Sequence, residues 1–316
     1  MIIFRDLGLG KFSFKELKNI LGFSLPVYYT QNLWFIFDLL LLLYIENVDE
    51  VGGQVTISLY KFGALTIVNI ILLAGNIFKM VFRPVTYMLF EKGQFDDMRN
   101  ITHLMFRIFI LAIFPIALLI FALSPVLIPL ITLVDYLPSI PLIPFLLAAM
   151  ICTYIQSIIA YAHGLYLKIY WNAIVGTGSF GLAILVAYLV VPVNALIGIG
   201  SAVLTLRFTY LVGTAIVSNY YFKMKFKLKM ILGIIVVIIA TLGLALIFYF
   251  FVFDFLGIYN IVASFTIPII MYLVLIFATK LIRKKDITYF IGLFKRYLQD
   301  VKAAQQNRQE KISNNT

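Results

Sequence analysis

The chain has 316 residues, 63% of them hydrophobic and 12% charged, with a formal net charge of +11. Soluble domains are roughly 45–50% apolar and about 25% charged, so this sequence lacks the polar surface to cover a water-soluble globule and is too apolar for a disordered chain. One cysteine, Cys152, permits no internal disulfide and excludes a stapled secreted domain.

Residues 1–22 carry Arg5, Lys11, Lys15 and Lys18 among Phe12, Leu17, Ile20 and Leu21. That pattern is too charged for a secretory signal and reads as an interfacial amphipathic segment. Apolar runs of about 20 residues then predict eight spans: Phe23–Ile45, Val55–Phe78, Ile101–Leu123, Pro141–His163, Asn172–Val190, Leu196–Phe222, Met230–Val252 and Ile258–Thr279. The third reads as ending at Leu123 or as running on to Leu133, with a break or bend expected where Pro125 and Pro129 follow Ser124. The tail over 283–316 is basic and ends in a polar stretch. The expected fold is therefore all-α: a polytopic integral membrane protein with a six-helix lobe over 23–222 and two accessory helices over 223–282.

Charge placement orients the spans. Of the 25 Lys and Arg, all but Lys61, Arg107 and Arg207 fall in the N-terminal segment, the tail or alternate connections. The other connections hold Glu46, Asp49, Glu50, Asp135 and Asp254 and no base. The positive-inside rule then puts both termini in the cytoplasm of a plasma-membrane protein. Basic residues spread along one membrane face are no nucleic-acid site, which needs a folded reading surface.

Polar residues inside spans are costly in lipid and point to protein or water. Ser24, Tyr28, Gln31 and Asp38 share one face of the first span, and Ser58, Lys61, Asn69 and Asn76 one face of the second. Thr153, Gln156 and His163 lie on the fourth, Asn172, Gly176 and Ser179 on the fifth, and Gly200, Arg207, Tyr210, Thr214 and Ser218 on the sixth. These stripes read either as ordinary helix contacts or as the lining of a polar interior shared by six spans.

At 1.5 Å per residue, Asp38 and Lys61 sit at matching depth, about 10 Å and 9 Å inside the outer ends of their spans. An ion pair is the simplest reading, and exchange of H⁺ or Na⁺ by Asp38 the alternative. Arg107 lies close enough to the cytoplasmic end to snorkel. Arg207 is about 17 Å from the outer end of its span, near the midplane, where a guanidinium facing an aqueous cavity suits phosphate or carboxylate. Arg207, Lys61, Arg107, Asn69 and Tyr210 are the candidate cavity residues. No zincin, Walker or catalytic-triad pattern is present, and His103 and His163 have no partners at metal spacing. The residues favour transport over enzymatic chemistry, with no cofactor and no metal.

Several ordered segments carry a family resemblance. KELKNILGFSLPVYYTQNLWFIFDLLLL, EVGGQVTISLYKFG, RPVTYMLFEKGQFDDMRN, DYLPSIPLIPFLLAAMI and NALIGIGSAVLTLRFTYLV resemble the second lobe of the Wzx-like polysaccharide flippases, within the multidrug/oligosaccharidyl-lipid/polysaccharide exporter superfamily. The resemblance covers about residues 11–228, with 229–282 similar in hydropathy to that family's last two helices. It implies alternating access around a cationic cavity and a polyprenyl-linked oligosaccharide as substrate, its pyrophosphate near Arg207 and Lys61. It also implies that the chain is one lobe, a split or truncated product that needs a separate N-terminal lobe or a second copy and does not flip substrate alone. An ion-coupled drug or metabolite antiporter of the same superfamily, and an inert fragment, are the alternatives.

Overall fold

A computed structural model describes residues 14–48, 52–165 and 169–222, with four isolated positions beyond them. The predicted seventh and eighth spans, the tail and residues 1–13 lie outside the described residues. Within them there is no strand, and five helical stretches are long and apolar enough to cross a bilayer: 20–48, 95–121, 134–160, 170–190 and 195–220. The protein is an all-α membrane protein. These five correspond to the predicted first, third, fourth, fifth and sixth spans.

Helix α1 (Phe14–Val48) is continuous through Pro26, so the residues expected to lie in the interface from Phe14 onward are one rod with the first span. At 35 residues it is about 52 Å long, more than the roughly 30 Å of hydrocarbon, and its first turns extend past the apolar layer. Thr30, Leu33, Phe37, Leu41 and Ile45 recur at three- and four-residue steps and form its buried stripe.

The second predicted span is not a single helix. It divides into α2 (Gly53–Ser58), a π-helical turn over Leu59–Ala64, α3 (Leu65–Val68) and, after a turn at Asn69, α4 (Ile70–Glu91). Gly63 explains part of the irregularity. A Cβ there would meet the Ser139 side chain at 2.5 Å, so the π-turn packs closely on the 3-10 segment Val134–Leu142. Helix α4 ends in a Schellman motif: Gly93 takes φ 70, its N–H reaches Phe90 O at 3.0 Å, and Gln94 N–H reaches Leu89 O at 2.9 Å.

Helix α5 (Phe95–Ile131) follows the longer reading of the third span, and it corrects the expected break because it runs unbroken through Pro115, Pro125 and Pro129. Pro125 has no N–H for the carbonyl four residues back, that of Phe121. Ser124 Oγ donates to that carbonyl at 2.7 Å and takes over the missing bond. Helices α6 (Ile143–Leu165), α7 (Tyr170–Val190) and α8 (Ala195–Phe222) complete the described chain. Asn194 caps α8, its Oδ1 accepting from Ile197 N–H at 3.0 Å.

Helix α8 packs most extensively, against α6 on one side and α7 on the other; α1 leans on α7, and α4 pairs with α5. Small residues set these approaches, as expected where lipid supplies no hydrophobic drive between helices. A Cβ at Gly200 would meet Leu142 and Phe145 at 2.9 Å, and one at Gly213 would meet Val175 at 2.4 Å. Gly178 and Gly181 on α7 have open space around them. Leu182, Leu185, Tyr188 and Leu189 on α7 and Phe208 and Ile216 on α8 are exposed, the arrangement that a hydrocarbon solvent favours.

Candidate anion site between α1 and α8

The π-turn aims two neighbouring residues at one carboxylate. In an α-helix, adjacent side chains point about 100° apart and do not share a target. The wider π-turn reduces that divergence. Tyr60 Oη donates to Asp38 Oδ1 at 3.1 Å, and Lys61 Nζ forms an ion pair with Asp38 Oδ2. Thr66 Oγ1 donates to the Lys61 carbonyl at 3.2 Å, steadying the turn from its far side. The Asp38 and Lys61 side chains keep 35% and 28% exposure, so the pair is in a crevice and not in the dry core.

One helical turn before Asp38 on α1 stands Trp34, the i−4 neighbour on the same face. The Arg207 guanidinium lies over its ring, 4.1 Å from the centroid. Tyr210, buried one turn further along α8, meets Trp34 edge-on with centroids 4.9 Å apart. Guanidinium, indole and phenol thus form a stack that joins α1 to α8. A cation over Trp is worth about 0.5–2 kcal/mol, more as water is excluded. Arg207 lies twelve residues into α8, about 18 Å from its start, and remains half-buried. Asp38, Tyr60 and Tyr210 are within electrostatic range of it.

The accounting of charges and donors matters most here. Both Asp38 oxygens are engaged, one by an ammonium and one by a phenol. Among the described residues, Arg207 makes no hydrogen bond and no ion pair; its neighbour is a ring face. Two cations and one carboxylate leave the cluster with a net charge of about +1 and a fork of guanidinium donors unspent.

The other sequence candidates fall elsewhere. Arg107 is half-buried on α5, whose principal partners are α4, α6 and the 3-10 segment, and it takes no part in the α1–α8 cluster. Asn69 is exposed at the turn between α3 and α4. The stripes on the first two spans correct a second expectation. Ser24, Tyr28 and Gln31 are exposed and do not line a closed interior, because α1 turns its apolar stripe toward the bundle, and Asn76 on α4 is exposed as well. On α7 and α8 the polar stripes do face inward: Gly176, Ser179, Gly200, Tyr210, Thr214 and Ser218 are buried. Gln156 on α6 is buried as well, whereas the side chain of His163 is outside the described set.

Trp34 and Tyr60 are the functional residues that the sequence reading missed. The i,i+4 spacing of Trp34 to Asp38 was an available signal for the first. Tyr60 had none, since its neighbour Lys61 was already assigned to the acid and adjacent helical residues do not ordinarily share a target. No protein-family description, no curated protein and no solved structure matches the chain.

Proposed function

We infer that this chain is one lobe of a membrane transporter for an anionic, lipid-linked oligosaccharide precursor, with Arg207 receiving the phosphate or pyrophosphate head. The observation that supports this reading is an arginine near mid-membrane depth whose fork of donors is stacked on Trp34 and, among the described residues, left without an acid. Placing a charge there is expensive, and such residues usually mark a substrate or ion path. A guanidinium offers parallel N–H groups that match a phosphate bidentately, so a phosphorylated head is its natural complement.

The resemblance to Wzx-like flippases supplies the cargo class and the alternating-access mechanism. The exposed polar faces of α1 and of the Asn69 turn fit one wall of a cavity whose opposite wall is a second lobe, from another chain or a second copy. Polar side chains at that depth need water or protein against them. The lobe binds and positions the head without breaking a bond, and acts in the plasma membrane with both termini cytoplasmic. The antiporter alternative draws less support, because Asp38, its ion-exchanging group, already has both oxygens occupied.

The test is calorimetric titration of the nanodisc-embedded chain with farnesyl pyrophosphate and, separately, with inorganic pyrophosphate. Binding of both, weakened about 30-fold or more by Arg207→Ala, is the expected result, since hydrogen bonds to charged groups contribute about 1.5–3 kcal/mol. Tighter binding of the prenylated probe identifies a lipid head as the ligand. Equal affinity points to a free phosphate compound. No binding of either rejects the anion site.

A further inference from the structure

Lys61 and Arg207 are both cations in one crevice, and sequence alone treats them as equivalent ligands for the same anion. Their surroundings divide them. Lys61 is committed to Asp38 Oδ2, and Tyr60 Oη to Oδ1 at 3.1 Å. Among the described residues, Arg207 is committed only to the face of Trp34. Asp38 is the i+4 neighbour of Trp34 on α1, about 5–6 Å away between Cβ atoms, and the Arg207 guanidinium over the Trp34 ring is within electrostatic range of the carboxylate. An Asp38 with a free oxygen would be the nearest anion for Arg207.

We propose that Lys61 and Tyr60 are positioning residues: they occupy the Asp38 carboxylate so that Arg207 stays unneutralised and available, and neither touches the transported anion. Trp34 completes the arrangement by holding the guanidinium flat without offering it a hydrogen-bond acceptor. The π-turn is what makes this possible, since it brings adjacent residues to both oxygens of one acid. The assignment rests on the anion-binding reading of Arg207 given above, and it also gives Asp38 a role. The carboxylate is an internal competitor for the ligand, and anything that loosens its two partners lowers the affinity of the site.

The chain contains two tryptophans, so Trp171→Phe leaves Trp34 as the only indole, directly beneath Arg207. Its fluorescence, recorded in nanodiscs during titration with farnesyl pyrophosphate and with inorganic pyrophosphate, reports on the site itself. In that background Lys61→Met should weaken binding about tenfold, because Asp38 then pairs with Arg207. Adding Asp38→Asn to Lys61→Met should restore affinity to within about threefold of the parent. Asp38→Asn alone should bind at least as tightly as the parent.

Tyr60→Phe removes a single hydroxyl and is the gentler version should Lys61→Met fail to fold. It should weaken binding about threefold and be rescued by Asp38→Asn in the same way. A Lys61→Met protein that binds like the parent overturns the proposal, since Asp38 is then no competitor. A double variant as weak as Lys61→Met also overturns it, because Lys61 is then itself a ligand. If the parent binds neither probe, the anion reading falls and this inference with it, an outcome distinct from the other two.

Discussion

Along α8 the polar residues Thr214 and Ser218 are fully buried against neighbouring helices, whereas along α1 Ser24, Tyr28 and Gln31 stand exposed while Leu33, Phe37 and Leu41 face inward. The two regions obey different rules. The seam around α8 is closed by small residues and tolerates a hydroxyl that has no partner among the described residues: Thr214 Oγ1 is buried without a hydrogen bond there. Such a seam is organised by packing. The α1 flank presents Ser24, Tyr28 and Gln31, polar side chains that hydrocarbon does not solvate. That flank is organised for water or for further protein. Arg207 belongs to both regions, since its backbone is in the seam and its guanidinium lies on Trp34 of the flank helix.

The sharpest way to break this comparison is steric. A Cβ on Gly198 would lie 2.6 Å from the Val191 Cα, which is backbone and cannot rotate away. Gly198→Val should destabilise the folded protein by about 3 kcal/mol, read from thermal unfolding in detergent. An unchanged midpoint would mean that the α7–α8 turn is not rigid. Next in size, Arg207→Lys keeps the charge and loses the fork. It should weaken pyrophosphate binding about tenfold, or about 1.4 kcal/mol, with stability unaltered. If lysine serves as well as arginine, the site recognises charge alone.

Ser124→Ala removes the hydroxyl that serves the Phe121 carbonyl beside Pro125. It should cost about 1 kcal/mol and raise hydrogen exchange locally in α5. Thr214→Val should be neutral or stabilising by up to about 1 kcal/mol, since it removes a buried hydroxyl that has no partner. A loss comparable to that of Gly198→Val would show that this hydroxyl has a bonded role and that the seam is not apolar in character. Smallest of all, Gln31→Leu on the exposed flank should move the unfolding midpoint within the error of about 0.5 kcal/mol. Strong destabilisation there would place Gln31 inside the packed lobe and erase the contrast.

Much of the fold was legible from sequence because lipid imposes a blunt rule: about 20 apolar residues make a spanning rod. The two departures have local causes. The break expected at Pro125 did not allow for the serine beside it, whose hydroxyl replaces the lost amide. The helix expected over Val55–Phe78 did not anticipate the π-turn, within which Gly63 lies close against Ser139 from a distant part of the chain. At the site, equal depth put Asp38 opposite Lys61, and the two are paired. The stack of Arg207 on Trp34 could not be read the same way, since it depends on how α1 and α8 rotate about their axes.

Hydropathy, charge segregation and span length determined by themselves that this is a helical membrane protein, and they raised the expectation that Asp38, Lys61, Arg107 and Arg207 lie within its spans. They could do so because the cost of a charge in hydrocarbon depends on depth alone, which counting along the chain supplies. Which cation is neutralised and which is left free was decided only by tertiary structure. That outcome turns on a π-turn rotating Tyr60 and Lys61 onto one carboxylate and on an indole from a helix more than 150 residues away in sequence, directions that no linear pattern encodes.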